Sequence, residues 1–62
     1  MRREWLINKR TKRGLTREEI AKLCDVTYQM YGCIENGKRR PGPDLAIKLG
    51  KILKFDWTKF YE

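Results

Sequence analysis

Apolar positions recur along this chain at helical spacing, in short blocks separated by Gly or Pro. In residues 17–24, Ile20, Ala21 and Cys24 fall at i, i+1 and i+4 and form one stripe, while Arg17, Glu18, Glu19 and Lys22 take the remaining positions. In residues 28–36, Tyr31 and Ile34 share a side and leave Tyr28, Gln29, Gly32, Cys33 and Asn36 together on the other. β-Branched residues are sparse and strict alternation never extends beyond a few positions, so no strand is predicted. The breaks fall at Gly14, at Asn36-Gly37 and at Pro41-Gly42-Pro43.

The helix entrances carry their own signals. Thr16-Arg17-Glu18-Glu19 is a capping box, in which the Thr16 hydroxyl accepts from the Glu19 amide and the Glu19 carboxylate accepts from the Thr16 amide. Leu15 before this cap and Ile20 after it add a hydrophobic staple. Thr27 repeats the arrangement between Val26 and Tyr31, and Asp56 repeats it between Phe55 and Phe60. A fourth entrance is Gly42, with Pro43 at the first helical position and Asp44 in the first turn, facing the positive end of the helix dipole. Together they predict an all-α chain of five short helices, at roughly 2–13, 17–24, 28–36, 43–53 and 57–61, in a single domain over 1–62. Links this short force steep crossings, and Asp25-Val26-Thr27 has the length of a helix-turn-helix connection. Trp5, Leu6, Leu15, Ile20, Ala21, Cys24, Val26, Tyr31, Ile34, Leu49, Leu53 and Phe60 are the expected core.

Charge narrows the class of partner. Fifteen Lys and Arg against eight Asp and Glu leave a formal charge of +7 on 62 residues. Such an excess favours a polyanion, nucleic acid first and an anionic membrane second. Spanning a bilayer takes about 20 apolar residues in a row. The longest apolar runs here are three residues, and no signal-peptide core follows the charged start. The expectation is an unprocessed cytoplasmic protein with no membrane partner.

Two cysteines are too few for a disulfide scaffold, and with no histidine a zinc site lacks its usual ligands. No metal, cofactor or small-molecule ligand is expected. The chain also has no phosphate-binding loop and no cluster of catalytic side chains, which argues against an enzyme.

The run "LTREEIAKLCDVTYQMYGCIENGKRRP" resembles the Cro/C1-repressor type helix-turn-helix, often called the Xre family. That family's usual run is Leu-Thr-Gln-Glu-Glu-Leu-Ala, a turn, a recognition helix, then Ile-Glu-Asn-Gly-Lys and a Pro. Ala21, Ile34-Glu35-Asn36-Gly37-Lys38 and Pro41 stand where the family has them, and Leu49, Leu53, Phe55 and Phe60 follow its two closing helices. The likeness extends from Arg10 to Phe60. It implies a lambda-repressor-like DNA-binding domain with the helix-turn-helix at 17–36, in which 28–36 enters the major groove of double-stranded DNA and 17–24 lies across the backbone. It also implies a structural salt bridge between Arg10 and Glu35, and a phosphate contact from Arg17 in place of the usual Gln. Four further positions depart from the pattern. Asp25 stands where the turn usually has Gly, Tyr31 replaces an aliphatic residue, Gly32 interrupts the recognition helix, and Cys33 takes a position that elsewhere often carries Gln or Arg.

Tyr28 and Gln29 lead the candidates for base contact, because Gln bonds adenine N6 and N7 together and Tyr offers a hydroxyl or packs on a thymine methyl. Thr27 and Cys33 complete that set. Thr27 is first a cap, and Cys33 is either a small neutral surface residue or a redox-sensitive thiol. Arg17, Asn36, Lys38, Arg39 and Arg40 are candidates for phosphate, with Lys12 and Arg13 at the periphery. The expected function is sequence-specific DNA binding by a small transcriptional regulator, a repressor, in a bacterium or phage-infected cell. The alternative is a protein-interaction module of the antitoxin or anti-repressor kind. The end "KFDWTKFYE" concentrates Phe55, Trp57, Phe60 and Tyr61. Either a homodimer forms through it, setting two recognition helices about 34 Å apart on a near-palindrome, or it packs on its own monomer as an aromatic cap.

Overall fold

The computed structural model describes residues 2–61. Its elements are α1 (Glu4–Lys12), α2 (Arg17–Leu23), α3 (Tyr28–Asn36), α4 (Pro43–Leu53) and a closing 3-10 helix (Trp57–Tyr61). The predicted all-α architecture is present, with two differences at its ends. First, α1 opens at Glu4 and not at residue 2. The backbone N–H of Arg3 donates to Glu35 O at 2.7 Å, which holds Arg3 outside helical geometry as the N-cap residue. Second, the last element is a 3-10 helix and not an α-helix. Asp56 Oδ1 accepts from the Thr58 amide at 3.0 Å and its hydroxyl at 2.7 Å, and Lys59 N–H donates to Asp56 O, an i+3 bond typical of so short a piece.

The internal entrances form as the local chemistry predicts. The Thr16 hydroxyl accepts from Glu19 N–H at 3.1 Å while Glu19 Oε1 accepts from Thr16 N–H at 2.8 Å, and Thr27 Oγ1 accepts from Met30 N–H at 3.1 Å. Each exit uses the left-handed region, at Gly14 (φ 70°) after α1, Asp25 (φ 59°) after α2, Gly37 (φ 81°) after α3 and Lys54 (φ 60°) after α4. Asp25 thus does the work of the glycine it replaces, at the modest cost that a short polar side chain bears there.

The core takes one face of every element. Leu6 comes from α1, Ile20 and Ala21 from α2, Tyr31 and Ile34 from α3, and Leu45, Ala46, Leu49 and Leu53 from α4, with Cys24 and Phe60 closing it. Trp5, Leu15 and Val26 are half-buried against this cluster. Leu45, Ala46 and Gly50 extend the α4 contribution beyond Leu49 and Leu53. Gly50 has a steric reason to be glycine: a Cβ there would lie 2.8 Å from Phe55 O and 3.2 Å from Trp57 Cβ. α4 and the 3-10 helix meet at this point. Full burial of an aliphatic side chain contributes about 1.5–3 kcal/mol, so these few residues carry most of what holds so small a domain together.

Candidate nucleic-acid interface

α3 is anchored on one side and open on the other. Tyr31, Ile34 and Glu35 are at 0% exposure, whereas Tyr28, Gln29 and Asn36 are exposed and Gly32 and Cys33 are half-buried between them. Thr27 precedes this face, exposed, with its hydroxyl oxygen engaged in the cap. The exposed Lys38, Arg39 and Arg40 follow it after the left-handed Gly37. A nine-residue helix thus presents amide, phenol and small side chains along one strip and cations at its end.

The anchor of α3 is ionic as well as apolar. Glu35 Oε2 accepts from Arg10 Nε at 2.6 Å and from the Tyr31 hydroxyl at 2.7 Å, while Oε1 accepts from Arg17 Nε at 3.1 Å and from Arg10 Nη2 at 3.4 Å. Arg10 also donates to Leu15 O at 2.8 Å. One buried carboxylate therefore ties α1, α2 and α3 together, and its lone pairs are met by charged or hydroxyl donors, the condition under which such a group is tolerated inside. Tyr31 earns its bulk through that hydroxyl bond. Burial first, and the Glu35 bond second, push its phenol far above the ordinary tyrosine range.

Arg17 bridges the inside and the outside of the molecule. Contact with the Tyr28 phenol is the largest influence on its guanidinium and, joined by the Glu35 charge against partial burial, raises its affinity for the proton. Arg17 and Tyr28 line one shallow open cleft with Thr11, Gly14, Thr16 and Glu18. A residue expected at phosphate and a residue expected at a base are therefore neighbours at the start of α2 and α3. Lys12 and Arg13 lie exposed at the end of α1, while Arg10 is withdrawn from any ligand by its bonds to Glu35 and Leu15 O.

A helix-turn-helix family model matches residues 6–60. The chain belongs to the helix-turn-helix family. It is similar to an uncharacterised HTH-type transcriptional regulator, YqaF of Bacillus subtilis (strain 168), with 44% identity over 62 residues covering 100% of this chain and 82% of that relative. No solved structure matches the chain.

Within this helix-turn-helix frame the aromatic end turns largely inward. Phe60 is core at 4% exposure and not a surface residue, and Trp5 meets Phe55 edge to face and Phe60 at a tilt, with ring centroids 5.1 Å away in each case. Tyr61 remains exposed, its hydroxyl donating to Pro41 O at 2.8 Å and its ring 5.5 Å from the Arg40 guanidinium. Most of the apolar surplus is thus covered by the chain itself. Arg3 escaped the sequence reading altogether. Its Nη1 donates to Ile34 O and to Arg39 O, closing the end of α3 and pinning the connection that carries Arg39 and Arg40. One arginine of the Arg2-Arg3 pair, expected inside the first helix, carries no local signal for such a role.

Among the described residues no group of three or more His, Cys, Asp or Glu is placed to hold a metal ion, and no helix is long and apolar enough to cross a membrane. Cys24 is buried, which pushes its thiol up and away from reactivity, and Cys33 is half-buried on the outer face of α3.

Proposed function

We propose that the protein is a sequence-specific, double-stranded DNA-binding transcriptional regulator, a repressor acting in the cytoplasm of a bacterium or phage-infected cell. The observation that carries it is the two-sided α3, anchored at 0% exposure through Tyr31, Ile34 and Glu35 and open along Tyr28, Gln29 and Asn36. Helix-turn-helix membership and the HTH-type regulator among its relatives point the same way. α3 lies in the major groove, with base readout concentrated at its first turn in Gln29 and Tyr28, supported by Thr27 and, further along, Cys33. Arg17 holds a phosphate with the guanidinium N–H groups that Glu35 does not take. Asn36, Lys38, Arg39 and Arg40 hold the backbone at the other end of the helix, with Lys12 and Arg13 at the edge.

The longest extent of the molecule, 25 Å, is shorter than one turn of DNA, about 34 Å, so one protomer meets one half-site. A homodimer on a near-palindrome completes the site, and exposed Tyr61 with half-buried Trp57 is the aromatic surface left for that contact.

Titration of a duplex carrying the bound site, repeated across salt concentrations, tests the phosphate assignment. Four contacts per protomer give a slope of log affinity on log salt of about −3.6 per protomer. Arg39→Ala weakens all duplexes alike and makes the slope shallower by about 0.9. Affinity that does not change with salt contradicts the assignment.

A further inference from the structure

At the C-terminal end of α3 a second cleft, of about 350 Å³, opens between the start of the chain, the α3–α4 connection and the 3-10 helix. Cations Arg2, Arg3, Arg40 and Lys59 surround it, and Trp5 and Phe60 form its apolar wall. No acidic side chain among the described residues lines it. Arg2 has a partner in Glu4 at 3.4 Å, but both are well exposed, so that pair is screened and weak. The other cations rest on π faces and carbonyls. Arg3 lies 5.5 Å from the Phe60 ring centroid, Lys59 lies 5.3 Å from that of Trp5, and Arg3 Nη1 is fixed by two backbone oxygens. Burial and the nearby charge of Arg40 both disfavour the Arg3 cation, a repulsion that an anion in the cleft would relieve.

We propose that this cleft seats a backbone phosphate of DNA at the rim of the groove entered by α3, with Arg40 and Lys59 as its direct partners, Arg2 at the mouth, and Arg3 holding the wall in place. The assignment rests on the DNA-binding reading above and adds Arg2, Arg3 and Lys59 to its contacts. Spacing supports it. From its first turn, residues 28–31, to Asn36 α3 rises about 7–12 Å, more than half the roughly 12 Å width of the B-DNA major groove. With the first turn on base edges, the far end of α3 and the cleft beside it meet a sugar–phosphate strand. A guanidinium fork beside a lysine point charge suits a phosphate oxyanion, and the cleft shares Arg40 with the cation run that follows α3.

The test uses the full chain carrying Arg2→Gln and Lys59→Gln together, with Lys51→Gln on the exposed side of α4 as a control for losing a cation away from the cleft. Each protein is titrated against the selected duplex across salt concentrations and footprinted with hydroxyl radical, after a thermal melt shows that it folds. With Arg40 still in place as the other direct partner, the double variant is expected to flatten the salt slope by at most about 0.9, the full loss of one phosphate. It should also lose protection of the backbone at one rim of the site while selecting the same base sequence. Lys51→Gln should change neither slope nor footprint. If the double variant melts early, Lys59→Gln alone replaces it, and Lys59→Arg should then restore the wild-type slope and protection. A variant slope and footprint equal to wild type, or an equal flattening by Lys51→Gln, overturns the assignment. A wild type with no salt-sensitive preference for any duplex fails the regulator reading itself, and this contact fails with it.

Discussion

Glu35 sits at 0% exposure with both carboxylate oxygens shared among Arg10, Arg17 and Tyr31, so three helices converge on one charge. Glu35→Gln leaves Arg10, only 11% exposed, without its counter-charge, and breaking such a pair from one side costs about 3 kcal/mol or more. Urea unfolding checks this, and a loss below about 1 kcal/mol contradicts the ionic anchor. Tyr31→Phe removes one bond to a charged acceptor that keeps its arginines, a loss of about 1.5 kcal/mol near neutral pH. The unfolded chain releases the Tyr31 proton above about pH 10, whereas burial keeps it in place when folded. Tyr31 therefore contributes its full stability below that pH and progressively less above it, and the gap between wild type and Tyr31→Phe narrows in alkali. A gap that stays constant through pH 11 contradicts the assignment. The Arg10–Glu35 pairing was legible through the family resemblance. The shares taken by Arg17 and Tyr31 were not, because periodicity assigns Tyr31 to the inner face as bulk and says nothing about where its hydroxyl points.

At the scale of elements, two glycines on neighbouring helices predict opposite outcomes. A Cβ on Gly32 of α3 meets nothing within 4 Å, so Gly32→Ala gains about 1 kcal/mol of helix propensity and raises the melting temperature by about 4–8 °C. A Cβ on Gly50 of α4 meets Phe55 O at 2.8 Å, so Gly50→Ala overpacks the joint with the 3-10 helix and costs about 1–3 kcal/mol. Parallel thermal melts check the pair, and equal shifts of the same sign contradict it. If Gly32→Ala melts higher yet binds DNA less well, the DNA approaches α3 closely at that position. The capping box at Thr16 and the Thr27 cap were readable because each closes over a few neighbouring residues. The start of α1 was not, since Arg3 is held by Glu35 O and Ile34 O, more than 30 residues away. Nor did Lys54 announce the left-handed exit of α4, a conformation that glycine usually signals.

As a whole, the molecule carries +7 on a body of 25 × 22 × 21 Å, with candidate phosphate contacts at both ends of a single outward helix. Charge and fold class were legible in the sequence. The destination of the aromatic end was not, because two arrangements satisfy the same residues until packing assigns Phe55 and Phe60 to contacts with Trp5. The central claim is that the first turn of α3 reads bases while the cations around it hold the backbone. Selection of bound sequences from random duplexes at near-physiological salt, run in parallel with wild type and Gln29→Ala, tests it most directly. Wild type is expected to enrich a defined, near-palindromic site, and Gln29→Ala to relax one position in each half-site while keeping the others. An unenriched pool from wild type, or a uniform loss of binding from Gln29→Ala with every position still specified, contradicts it.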